Sequence, residues 1–268
     1  MRLLALAGEK QSGKSSTSNF LHGYIMREVG SIKSFTQDSD GNLICNTKYI
    51  DTDGSIKDGF GVLDIRRKDH EFIEYAQERI WPYVRNFGFA DRLKEAVSYV
   101  FGLDYQTLYG TNEEKNSLTT IKWGDVKFAF GPYKIRALKK EGKLDSYLTH
   151  REFLEVFGSD ICRKIQNSCW MDRCIESYLS SNTTFGIIDD CRFLNEAETV
   201  QKAGGKVILL TKSIFEEGED KPVSEQILSS GIKPDLTIDN ENMSQEKKNQ
   251  IVLDAMYSWG WFSTQIQE

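Results

Sequence analysis

Gly8-Glu9-Lys10-Gln11-Ser12-Gly13-Lys14-Ser15 satisfies G-x-x-x-x-G-K-[ST] at every fixed position and directly follows an apolar run, Leu3 to Ala7. This is a phosphate-binding loop in its required setting. A strand delivers the chain, the glycines let the backbone fold tightly, and successive N–H groups point inward at the start of a helix whose dipole favours anions. Lys14 is placed to reach outer phosphates and Ser15 to hold a magnesium ion. The plain alternative is a glycine-containing turn between a strand and a helix. It leaves unexplained the fixed residues, the buried-type strand before them and the helix-compatible Ser16 to Val29 after them. The stretch therefore predicts a triphosphate site in an α/β protein.

The chain has 268 residues, enough for one large domain or for a domain with a sizeable insertion, and its core needs no staples. With 34 basic and 40 acidic residues its net charge is −6, and no long run has one sign. That balance argues against an extended duplex-binding face while leaving room for a local basic cleft. The opening Met-Arg-Leu-Leu-Ala-Leu-Ala-Gly is too brief for a signal sequence and runs straight into the loop, so it reads as a strand. No apolar run approaches a membrane span, so no membrane partner is expected. The five cysteines form no C-x-x-C pair and their number is odd, which fits a reducing cytoplasm.

Beyond the first helix the character changes. Short runs between residues 31 and 64 are separated by Asp40-Gly41, Asp53-Gly54 and Asp58-Gly59, which read as hairpin turns and predict a small β-rich insertion at 31–84. Asp69 to Ile80 has helical spacing, Val84 to Phe87 reads as a strand, and a helix beginning at Asp91 is expected to bury Leu93, Ala96, Val97, Val100 and Phe101. Residues 112–147 are lysine-rich and aperiodic, a lid or mobile segment in one domain spanning 1–268. Trp123, Phe128, Phe130 and Tyr133 suggest that it packs when closed. From Thr149 an apolar stripe returns at Phe153, Leu154, Phe157, Ile161 and Ile165, followed by a helix carrying Met171, Cys174, Ile175 and Tyr178. A buried-type strand at Phe185 to Ile188 ends in Asp189-Asp190-Cys191-Arg192. Strands at Val207 to Leu210 and Leu236 to Ile238, a short helix over Pro222 to Ser230 and a last helix from Ser244 complete the pattern.

Several residues invite two readings. Asp91 heads its helix, where capping is the default use. Arg151 and Arg163 lie off their stripe, where arginines are usually solvated. A carboxylate at the end of a strand beside the phosphate loop suits a magnesium-linked water, but also caps a turn. Of the consecutive Asp189 and Asp190, only one can face the crevice.

Four separated blocks then agree: the loop itself, Phe89-Ala90-Asp91-Arg92-Leu93-Lys94-Glu95, the stretch Arg151 to Arg163, and Ile188-Asp189-Asp190-Cys191-Arg192-Phe193-Leu194-Asn195-Glu196. In this order they resemble the phage-type deoxynucleoside monophosphate kinases, and Trp170 and Asp239-Asn240 also match. The resemblance runs from Leu3 to about Ile251 and omits 31–84 and 112–147. It implies the α/β fold of P-loop nucleoside monophosphate kinases, a five-stranded parallel sheet with helices on both faces. It further implies transfer of the γ-phosphoryl of ATP to a deoxynucleoside monophosphate, and a cytoplasmic enzyme, in the host cell if phage-encoded.

Transfer between two charged phosphates is governed by alignment and by positive charge placed where negative charge spreads. On the resemblance, Gly8, Lys10, Gln11, Ser12, Gly13, Lys14, Ser15 and Ser16 hold the ATP phosphates, with Asn240 near its adenine. Ser15 and Asp190 serve Mg2+. Arg163 and Arg192 bridge donor and acceptor, because the guanidinium fork grips phosphate oxygens in pairs. Asp91 and Lys94 fix the acceptor. Arg151 helps or only braces its helix, since twelve residues of ideal helix leave it about 120° around from Arg163, unless the helix bends near Gly158. Trp170 stacks on the acceptor base or belongs to the core.

Two other functions compete. One is a kinase of the same fold acting on hydroxymethylpyrimidine in DNA, or on another small hydroxylated metabolite. The other is a nucleotide-binding protein without turnover. Oligomeric state is unreadable, and a homodimer stays open.

Overall fold

The computed structural model describes residues 1–9, 11–50, 52–211 and 233–262, without the side chains of residues 47–50 and 56. Lys10 and the helix expected over Pro222 to Ser230 lie outside the described residues. Two compact units are present, Met1–Gly88 with Ile175–Glu268, and Phe89–Cys174.

The first unit is built on Leu3–Gly8, every residue of which is buried. A strand covered on both faces must be apolar throughout, and Leu3-Leu4-Ala5-Leu6-Ala7 is. Parallel strands flank it on both sides. Ala5 sits opposite Ile188 of Phe185–Cys191 and opposite Val207 of Lys206–Thr211. Leu236–Asp239 and Val84–Asn86 form the edges of this five-stranded parallel sheet. Leu4 and Leu6 pack with Leu21 and Ile25 of the Lys14–Glu28 helix and with Val252 and Met256 of the Gln245–Ser258 helix. Ligands of such sheets gather outside the carboxyl ends of the strands, where the phosphate loop lies.

Phe35–Gln37, Leu43–Ile50 and Ile56–Val62 form a separate antiparallel sheet of three strands. Asp40-Gly41 and Asp53-Gly54 are its turns, each with a left-handed glycine. Asp58-Gly59 is not a turn: it pairs with Thr47 and Lys48 inside the ladder, because the strands are longer than the short apolar runs suggested. The sheet rests on Gly23 of the Lys14–Glu28 helix. A β-carbon there would come within 2.6 Å of Phe35 Cγ and 2.7 Å of Leu43 Cδ1. A helix-interior glycine ordinarily costs about 1 kcal/mol relative to alanine, and here this close seat offsets it.

The second unit has a core of Leu93, Val97, Leu108, Phe130, Leu148 and Phe153 with their neighbours. Residues 112–147 are not irregular. They contain the helices Asn112–Lys115 and Pro132–Lys140 and the strand Leu118–Lys122, which pairs with Tyr147–Thr149. Their elements are too short to show a period. Trp123 packs against the buried Phe130 with ring centroids 5.9 Å apart, whereas Phe128 and Tyr133 are exposed. In the Asp91–Phe101 helix the expected stripe stops at Val97. Val100 is exposed, and Phe101 meets Phe153 and Phe157 only edge-on.

The stretch after Thr149 is helical but not uniformly α. Val156–Cys162 is a π-helix between the α-helical His150–Glu155 and Arg163–Ile165. Its wider turns shift the phase of everything beyond, so Ile165 leaves the predicted stripe and is 83% exposed.

Candidate active site

Gly13, with φ of 90°, turns the chain into the Lys14–Glu28 helix. Its positive φ is the conformation that the second fixed glycine supplies without strain. Lys14 is nearly buried, and its ammonium lies across the loop, donating to the Gly8 carbonyl at 2.7 Å and to the Glu9 carbonyl. Asn240 Nδ2 donates to the Ser12 carbonyl at 3.0 Å and so ties the loop to the end of the Leu236–Asp239 strand. Gln37 Nε2 donates to the Ser16 carbonyl at 2.8 Å, bringing the small antiparallel sheet to the same helix start. The Ser15 side faces solvent; Gln11 is also exposed and has φ of 66°.

Asp189 and Asp190 lie at the end of the neighbouring strand, and Arg192 follows it. Burial lowers the pKa of Lys14, Arg192 lowers it further, and Asp189, Cys191 and Asp190 oppose them. These groups share one electrostatic neighbourhood. Arg66 pairs with Asp189 and also donates to Asn19 Oδ1 at 2.9 Å. Glu196, buried at the head of the Leu194–Lys202 helix, accepts from the backbone N–H of Arg192 at 2.8 Å and of Phe193 at 3.0 Å, fixing where the Arg192 side chain begins. His22 lies behind this cluster. It is 2% exposed, its pKa pushed down to about 4 by burial, and its Nδ1 is 2.9 Å from the Ser18 carbonyl.

The second unit gathers the remaining candidates. Asp91 is the first helical residue, after Ala90 as N-cap. Its carboxylate accepts from the Tyr109 hydroxyl at 3.0 Å, while Lys94 Nζ lies 4.0 Å from the Tyr109 ring centroid. Burial first, then the Asp91 charge, raises the Tyr109 pKa, so its proton stays on the hydroxyl. Arg151 donates to Asn112 Oδ1 at 2.9 Å. Arg163 is half-buried at the end of the π-helix, close enough to Cys169 to lower its pKa, though burial outweighs this and leaves the thiol raised. Trp170 is half-buried against the unit's core, its Nε1–H donating to the Gly158 carbonyl at 3.2 Å.

Three residues near these groups gave no usable signal in the sequence. Arg66 reaches Asp189 across 123 positions. Tyr109 sits in a short helix, Tyr105–Tyr109, with no pattern of its own. Lys248 reads as an ordinary polar position, yet its ammonium lies 3.5 Å from Ser16 Oγ.

A five-stranded parallel sheet surrounded by helices, with a glycine loop and its lysine at the carboxyl end of a central strand, defines an α/β P-loop kinase fold. The family model for deoxynucleotide monophosphate kinase matches residues 2–251, and the chain belongs to that family. It is a kinase that phosphorylates deoxynucleoside monophosphates. A search of curated proteins gave no match. Among the described residues no helix is long and apolar enough to cross a membrane.

Proposed function

We propose that the phosphoryl donor is ATP, bound with magnesium, and that the residues divide the work as follows. Loop amides from Gly8 to Ser16 and the Lys14 ammonium hold the donor phosphates, while Asn240 braces the loop beside the donor base. Ser15 and Asp190 present hard oxygens, the ligand type that magnesium prefers when it also keeps waters and phosphates. Asp189 is engaged by Arg66, and Asp190 is the metal-binding carboxylate of this reading. Magnesium, when bound, supplies charge neutralisation at the β- and γ-oxygens. Arg192 and Arg163 stabilise the transferring phosphoryl group. Asp91 and Lys94, linked through Tyr109, orient the acceptor, with Trp170 beside its base. Arg151 acts as a brace through Asn112. We place the enzyme in the cytoplasm, a host's if its gene is a phage's, which suits five free cysteines.

The observation that carries this reading is the nearly buried Lys14, whose charge feels Arg192, Asp189 and Asp190 together. Perturbed ionisation in a phosphate-binding loop marks a place where charge is handled. The decisive assay measures ADP release from ATP and magnesium with each deoxynucleoside monophosphate, with a hydroxymethyluracil oligonucleotide, and without acceptor. Turnover that requires a monophosphate and disappears in Lys14→Ala supports the assignment. Turnover on the oligonucleotide alone, or none with any acceptor, overturns it.

A further inference from the structure

Lys248 stands in the first turn of the Gln245–Ser258 helix and is 4% exposed. Its Nζ lies 3.5 Å from Ser16 Oγ and 3.2 Å from the point a β-carbon on Gly13 would occupy. Lys14 places its own ammonium at the other end of the loop, on Gly8 and Glu9. Among the described residues the loop is therefore flanked by two lysines, one from its own sequence and one from a helix more than 200 residues away.

Among the described residues no carboxylate pairs with Lys248, and the one hydrogen bond of its side chain is the long one to Ser16. A buried ammonium without a counter-ion is costly. This one also faces the positive end of the Lys14–Glu28 helix, which adds to the cost. Beside it, the donor Asn240 Nδ2 lies 3.4 Å from the same point on Gly13. A buried ammonium and an amide N–H donor at a helix start suit an anion that binds there. Burial holds the Lys248 pKa down to about 8, so the group still carries its charge at neutral pH.

We propose that Lys248 is a second phosphate-binding lysine, holding the innermost phosphate of the donor nucleotide while Lys14 serves the outer ones. Ser16 fits this division: its oxygen accepts from Lys248, and its hydroxyl proton remains available to a phosphate oxygen. The assignment rests on ATP as the donor bound in this loop.

The test compares dissociation constants of ATP and ADP, each with magnesium, for the full-length wild type, Lys248→Met, Lys248→Arg and Lys14→Ala, together with unfolding temperatures without nucleotide. Loss of a charged hydrogen bond should weaken ATP and ADP alike by about 10- to 100-fold in K248M. K248R should restore most of that affinity, and K248M should unfold at a higher temperature than wild type because an uncompensated buried charge is gone. Unchanged affinity in K248M overturns the proposal, as does a loss confined to ATP, which would put the lysine at the outer phosphate. A K248M that unfolds earlier than wild type makes the lysine structural and overturns it too. If wild type binds neither nucleotide, or K14A binds as wild type does, the donor-loop assignment itself has failed.

Discussion

The guanidinium of Arg66 closes on the carboxylate of Asp189, next to Asp190 at the carboxyl end of the strand beside the phosphate loop. The proposed function gives the two adjacent carboxylates different duties. Asp189 is 16% exposed at its side chain and has a cation of its own. On this division D190N lowers ADP formation by about 100-fold or more, whereas D189N costs less than about tenfold. Rates at saturating magnesium and both nucleotides decide it, and the reverse order would return the metal to Asp189.

The same pair has a stability consequence. The Arg66 side chain is 38% exposed, so solvent screens part of the attraction, and R66M should cost only about 1 kcal/mol. Urea unfolding of R66M, D189N and the double variant gives the coupling. Strict additivity would mean that the contact contributes nothing.

His22 makes stability depend on pH. Its folded pKa of about 4 lies below the ordinary 6.5, so the unfolded chain binds the proton more tightly. Stability is then complete above about pH 6.5 and falls as pH drops towards 4, by at most about 3 kcal/mol. His22→Asn should flatten the difference between unfolding free energies measured at pH 7 and pH 4.5. An unchanged slope in H22N would assign the acid sensitivity elsewhere.

Gly158 lies inside the π-helix, where a β-carbon would stand 2.7 Å from Leu93 Cδ2. Gly158→Ala should destabilise the protein by about 1 to 3 kcal/mol through overpacking. Gly131, with open space around its β-carbon position, is the control; as N-cap of the Pro132–Lys140 helix it loses only a favoured cap residue, and Gly131→Ala should cost no more than about 1 kcal/mol. Equal effects in chemical denaturation would refute the packing explanation.

What the sequence revealed follows from where each constraint acts. The phosphate loop was legible because phosphate geometry dictates residues Gly8, Gly13, Lys14 and Ser15 within one short stretch. Leu3 to Ala7 and Phe185 to Ile188 were legible because a doubly covered strand has to be apolar. The π-helix was not: Gly158 raised a bend, but the apolar spacing through Val156–Cys162 stays α-helical, and the misplaced Ile165 followed from that. Arg66 and Lys248 were invisible for another reason: each acquires its role from a partner brought near by the tertiary fold. Asp91 shows the middle case, its position at the helix head readable and its bond to Tyr109 not.

Gly23 carries a historical implication. Phe35 and Leu43 fill the space a side chain would need, so a lineage with this glycine cannot shed the three-stranded excursion in one step. Deletion first would bare a strip of helix to water, and enlarging residue 23 first would collide with the excursion still in place. Each change is harmful until the other has happened, a ratchet that keeps the excursion attached to the enzyme.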